Sequence, residues 1–195
     1  MFNLFLTLAM RTVQQPREAA AELLQLNISR SVLWSALALA VVLNTLAYQL
    51  SLYTSPQQVE LPLIFSSPFI FAVLIGAGLV LSIYSITFAG RFIGGKAILD
   101  QVMVLLIWLQ FLRFSVQIVA FLLTAFVPGL AGLLVLFATL YGMWILLQFI
   151  DVVHEFNSLA SSFGALLLSG LGIMLGLAVL LSLLGVQNMG LTPYV

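Results

Sequence analysis

Residues 99–127 read LDQVMVLLIWLQFLRFSVQIVAFLLTAFV, and they hold only two charges, Asp100 near the start and Arg113 in the middle. A helix crosses the hydrocarbon core of a bilayer with about 20 apolar residues, and this run is longer than that. Arg113 falls 13 positions after Asp100 and 15 before Pro128, which puts it near mid-bilayer. It is the only charged residue between Asp100 and Asp151. Insertion scales place a central Arg at about +2.5 to +3.5 kcal/mol, and each Leu, Ile, Phe or Val at about −0.3 to −0.6 kcal/mol. From Val104 to Phe126 there are 15 such residues, together worth roughly −4.5 to −9 kcal/mol. The segment therefore spans, and it carries Arg113 with it.

The rest of the chain follows the same rule. Of 195 residues, 63% are hydrophobic and 6% are charged, against about 25% charged in soluble domains. No soluble core buries that much apolar surface, so the solvent is lipid. Runs of spanning length fall at 31–52, 68–90, 99–127, 129–150 and 162–185, separated by YTSPQQVELP, GRFIGGK, VPG and DVVHEFNS. The expected fold is an all-α polytopic membrane protein: a five-helix bundle over residues 31–185, preceded by an interfacial region at 1–30 and followed by an external tail at 186–195. MFNLFLTLAMR has no basic start and no cleavage-site pattern, so it is expected to remain on the chain. Six basic and six acidic residues cancel, leaving no footprint for nucleic acid. The absence of cysteine removes disulfides, thiolate nucleophiles and cysteine metal sites.

Basic residues favour the cytosolic side of a membrane. Arg11, Arg17 and Arg30 precede the first run, Arg91 and Lys96 lie between the second and third, and the alternate loops have none. The expected topology is N-terminus inside and C-terminus outside. Trp34 and Tyr53 then fall at the two boundaries of the first run, where aromatic belts sit. Within residues 1–30, Phe2, Phe5, Leu6, Ala9 and Val13 recur at helical spacing against a polar stripe of Asn3, Thr7, Arg11 and Gln14. That pattern predicts an amphipathic helix lying in the membrane plane. A second helix starts at Pro16. These helices serve either as an anchor or as a docking surface for a cytosolic protein partner.

Three constellations stand out. Gln110, Arg113 and Gln117 share one helix face, with Tyr141 and Asn44 as mid-depth neighbours able to satisfy the guanidinium, and none of the six carboxylates matches that depth. An intramembrane charge is a functional hypothesis by default; the candidates are contact with an anion or lipid headgroup, and a structural lock. At the inner boundary, Asp151, His154 and Glu155 follow Gln148 and are expected to form a salt-bridged cap with Arg91 and Lys96, near Asp100. A pH-sensitive contact is the alternative, and a lone histidine makes metal binding improbable. In the fifth run, Ser161, Ala165, Ser169, Gly172 and Gly176 form a small-residue ridge that lets helix backbones approach. Ala72–Gly76 and Ala138–Gly142 offer matching ridges within the bundle, and homodimerisation through the fifth run is the other use. No nucleophile–base pair, G-x-S-x-G or phosphate loop is present, so neither enzymatic activity nor a cofactor is expected.

PREAAAELLQL with RSVLW, GRFIGGKAILDQVMVLLIWLQF (90–111) and FIDVVHEFNSLASSFGALLL (149–168) resemble bacterial members of the Ypt-interacting-protein (Yip) domain family. The resemblance covers nearly the whole chain and implies a non-enzymatic protein with a cytosolic N-terminus and five spans, in the bacterial cytoplasmic membrane. Eukaryotic relatives bind lipid-modified Rab GTPases. This chain has no D-L-Y-G-P motif before the first run, so Rab binding is not carried over. Membrane organisation or partner binding is the expected function. A small anion or solute carrier, or a lipid-handling protein using Arg113, is the alternative.

Overall fold

The computed structural model describes residues 2–54 and 67–184. The predicted outer loop, the external tail and the side chain of Tyr53 lie outside the described residues. Seven helices account for nearly all of the rest: α1 (Phe2–Gln14), α2 (Pro16–Gln25), α3 (Arg30–Thr54), α4 (Pro68–Phe92), α5 (Leu99–Thr124), α6 (Pro128–His154) and α7 (Leu159–Leu184). The last five are each long and apolar enough to cross a membrane. The protein is an all-α polytopic membrane protein.

Local chemistry sets the helix ends. Pro16, Pro68 and Pro128 each open a helix, where a fixed φ suits the first turn and the missing N–H costs nothing. Ser67 caps α4 by accepting from the Ile70 N–H at 3.5 Å. Asn27 (φ 45°) turns the chain out of α2, as an asparagine just past a helix end can. The fourth spanning helix runs one turn further than the sequence suggests, to His154, and Glu155 (φ 58°) ends it in the left-handed region.

The five long helices form a closed ring in which α3 lies between α4 and α5, while α6 and α7 complete the circuit from α5 back to α4. α4 and α5 also meet across the middle. Burial is uneven along the bundle axis. The buried residues of α4 are Ile83, Ile86, Thr87, Ala89 and Gly90, all in the half that leads to the GRFIGGK loop. Those of α5 are Val102 to Ile107 with Ala120, and all but Ala131 of those in α6 fall between Ile145 and His154. The tight core therefore sits at one end, beside Arg17, Arg30, Arg91 and Lys96; we call it the basic end. Toward the other end the large apolar side chains point outward, as at Phe69, Phe126 and Phe137.

α1 and α2 dock against α5 and α6 on this tight half. The face α1 turns to the bundle is Phe5, Leu8 and Thr12, whereas Leu6, Met10 and Val13 are exposed. Thr12 is fully buried; its hydroxyl donates to the Leu8 carbonyl (2.8 Å) and accepts from the Trp108 indole N–H (3.0 Å). Phe5 meets the same indole edge-on, at 5.2 Å between centroids. The apolar stripe is thus divided, with Leu6 and Val13 left for lipid and Phe5 turned to the bundle, where the off-stripe Thr12 joins it.

Candidate functional site: the basic end and the mid-depth polar groups

At the basic end, the GRFIGGK loop wraps the C-terminus of α6. Gly94 (φ 101°) reverses the chain, in a conformation glycine adopts without strain. The Gly95 N–H then donates to the Gly90 carbonyl (2.8 Å) and the Lys96 N–H to the His154 carbonyl (3.2 Å), capping α6 with a loop amide. His154 fills the notch so made. A Cβ placed on Gly90 would lie 2.0 Å from the His154 ring, and one on Gly95 would lie 2.4 Å from it. Phe156 stacks on the ring at 5.1 Å. His154 is 1% exposed, and neither ring nitrogen reaches hydrogen-bonding geometry with a described group.

One turn earlier, Asp151 is also 1% exposed. Its carboxylate pairs with the Arg17 guanidinium of α2, accepts from the Ser158 N–H (2.8 Å) and faces the Ser162 hydroxyl at 3.5 Å. A buried carboxylate is tolerated only when paired and hydrogen-bonded, and here the partners come from α2, the α6–α7 turn and α7. One side chain therefore fixes three segments. Outside it, Lys96 pairs with Glu155 (2.8 Å), Arg30 with Asp100 (3.3 Å) and Arg11 with Glu22 (2.6 Å). The Glu155 carboxylate, by hydrogen bond and charge, holds the Lys96 ammonium above its ordinary pKa.

Of the expected cap, only Lys96–Glu155 forms as drawn. Arg91 donates through Nε to the Ala97 carbonyl (2.7 Å), tying down its own loop. Asp151 takes its cation from α2 and Asp100 from the first residue of α3, and the sequence reading missed Arg17, Ser158, Ser162, Gly90 and Gly95. Serines spaced by four at the start of α7 and a glycine pair bracketing the loop were the available signals.

The mid-depth set does not converge. Arg113 is exposed on the outside of the bundle and makes no hydrogen bond or ion pair with any described residue. Tyr141 does not meet it; its hydroxyl donates to the Val13 carbonyl (2.6 Å), clamping α1 onto α6. Asn44 donates to the Ala40 carbonyl (2.8 Å) and reaches the Gln110 carbonyl at 3.4 Å, so Gln110 contributes backbone and not side chain. Gln117 lines a groove of about 300 Å³ between α3 and α5, walled by Leu46, Ala47, Leu50, Phe114, Ile118 and Phe121. Its Oε1 has no partner among the described residues, nor do Asn44 Oδ1, Thr45 Oγ1 and Gln49 Nε2.

On α7 the packed face runs through Ser162, Ala165 and Ser169, all buried, with the Ser85 hydroxyl of α4 donating to the Ser169 carbonyl (2.9 Å). Gly172 continues it, 3.6 Å from that hydroxyl measured from a Cβ position, while Ser161 is half-buried and Gly176 meets no described residue. The ridge thus joins α7 to α4 and stops at Gly172. Gly76 packs on Val41 of α3, and Gly142 meets no described residue.

Five spanning helices with an N-terminal helical pair locked to one end define a multi-pass membrane protein whose described charged groups, Arg113 apart, gather at that end. Residues 10–181, from α1 into α7, match the Yip1 domain, and the chain belongs to that family. No curated protein and no solved structure matches it.

Proposed function

We propose that this Yip1-domain protein is a non-enzymatic organiser of the bacterial cytoplasmic membrane that binds a protein partner at its basic end. The basic end is the cytosolic one by the distribution of Lys and Arg, with the N-terminus inside and the C-terminus outside. The observation that carries the reading is the buried Asp151 with its Arg17 partner, which fixes α2 on the bundle and gives this face a single shape. Phe92, 84% exposed where the helix meets the loop, adds an apolar anchor beside it. The only histidine is enclosed between two glycines, where no substrate reaches it. A carrier needs polar groups from several spans converging on one path, whereas Arg113, Tyr141 and Asn44 face three different surroundings.

The test is co-purification in mild detergent of the wild type beside Arg17→Ala and Arg113→Leu, with mass spectrometry of proteins and lipids. A stoichiometric protein bound to wild type and Arg113→Leu but lost from Arg17→Ala is the expected result. A small anion or anionic lipid held by wild type and lost from Arg113→Leu alone would move the function into the membrane and overturn the reading.

A further inference from the structure

Arg113 is an unmatched group. Its Cα lies 11 residues before Thr124 and 14 after Leu99, about 17 and 21 Å of helix from the two ends. Snorkelling shortens that distance but does not carry a guanidinium from mid-depth to the headgroups. It is exposed, and no described residue satisfies its donors. One turn along, Gln117 lines the α3–α5 groove with an acceptor that finds no donor among the described residues. Apart from Gln117 the groove lining is apolar, and Ala47 is its smallest side chain.

Charge complementarity selects the occupant. The donors call for a carboxylate at mid-depth, and the walls call for apolar side chains around it. A second copy of this chain supplies none, because its acids are Glu18, Glu22, Glu60, Asp100, Asp151 and Glu155, none of them in the middle of a span. Two copies facing through this surface would instead oppose their arginines. We propose that the α3–α5 face docks a spanning helix of a different membrane protein, one carrying an aspartate or glutamate at mid-depth that pairs with Arg113. Its neighbouring side chains fill the groove, and a donor one turn from the acid reaches Gln117. This surface is separate from the basic end, and the two are tested apart.

The probe is a synthetic leucine-rich spanning helix with one central Asp, compared with the same helix carrying Leu there. Energy transfer to the labelled full-length protein is measured in phosphatidylcholine vesicles. The Asp helix should associate on the order of tenfold more tightly than the Leu helix. That preference should vanish with Arg113→Leu, persist in part with Arg113→Lys, and fall with Ala47→Trp, which fills the groove. Unfolding temperatures of the variants in detergent establish that each is folded. Equal binding of the two helices, or an Asp preference that survives Arg113→Leu, overturns the proposal. So does displacement of the Asp helix by phosphatidylglycerol alone, which would make Arg113 a headgroup site, or by an unlabelled second copy.

Discussion

The half of the bundle at the basic end and the half beyond Arg113 are built from the same apolar residue types, yet they are held together differently. At the basic end, buried polar groups tie separate segments together, Asp151 with Arg17 and Ser158, Thr12 with Trp108, and the His154 carbonyl with Lys96, although the His154 ring nitrogens and Gln148 Oε1 find no partner among the described residues. Beyond Arg113, α4 buries no residue before Ile83, and the α3–α5 contact opens into a groove. Apolarity alone puts a helix into lipid but does not press it against its neighbour, because lipid tails are as apolar as leucine. Specific polar and close steric contacts supply the difference, and this chain concentrates them at one end.

The comparison breaks first at Arg17. Arg17→Ala leaves the Asp151 carboxylate buried without its cation, at an expected cost of about 3 kcal/mol. Thermal unfolding in detergent, followed by tryptophan fluorescence, reads this directly, and Arg17→Lys should recover much of it. Next is the notch: Gly90→Ala forces a methyl into the His154 ring, an overpacking worth about 1–3 kcal/mol. Adding His154→Ala should recover part of that loss, so the double mutant is less destabilised than the sum of the singles. Trp108→Phe removes the hydrogen bond to buried Thr12, costing about 1 kcal/mol, and should raise amide exchange in residues 2–14 ahead of the spanning helices. In contrast, Arg113→Leu should change unfolding of the isolated protein by less than about 0.5 kcal/mol, as for a surface position. A large loss there would mean that the loose half is held by contacts of its own.

The smallest effect concerns Lys96, the only lysine in the chain. Glu155 raises its pKa above the ordinary 10.5, so the pair's contribution is present below that value and is lost as pH rises through the raised one. Titration of an isotopically dimethylated Lys96 by NMR should show the elevated midpoint, and Glu155→Gln should return it to the ordinary range.

The five spans were legible because hydropathy over some 20 residues is a strong signal. Lys96–Glu155 was legible too, since both lie at the same end of adjacent spans. The rotation of each helix was not. When the inside and outside of a bundle are equally apolar, periodicity no longer says which face is buried. Tyr141 was therefore matched to Arg113 by depth alone, whereas its azimuth turns it to Val13. On α7 the sequence marked the small residues correctly as a type but placed the packed face at Ser161 and not at Ser162. Asp151 and Arg17 stand 134 positions apart, and nothing local to either names the other.

The notch around His154 also has a consequence for assembly. Gly90 and Gly95 are synthesised 64 and 59 residues before the ring that fills the space between them, and Arg17 waits longer still for Asp151. While α4 and α5 enter the membrane, the loop joining them has nothing to wrap, and α2 has no carboxylate to hold. The notch and the Arg17–Asp151 pair therefore close only after α6 is made, so that synthesis of DVVH marks the moment at which the N-terminal segment can be locked in place.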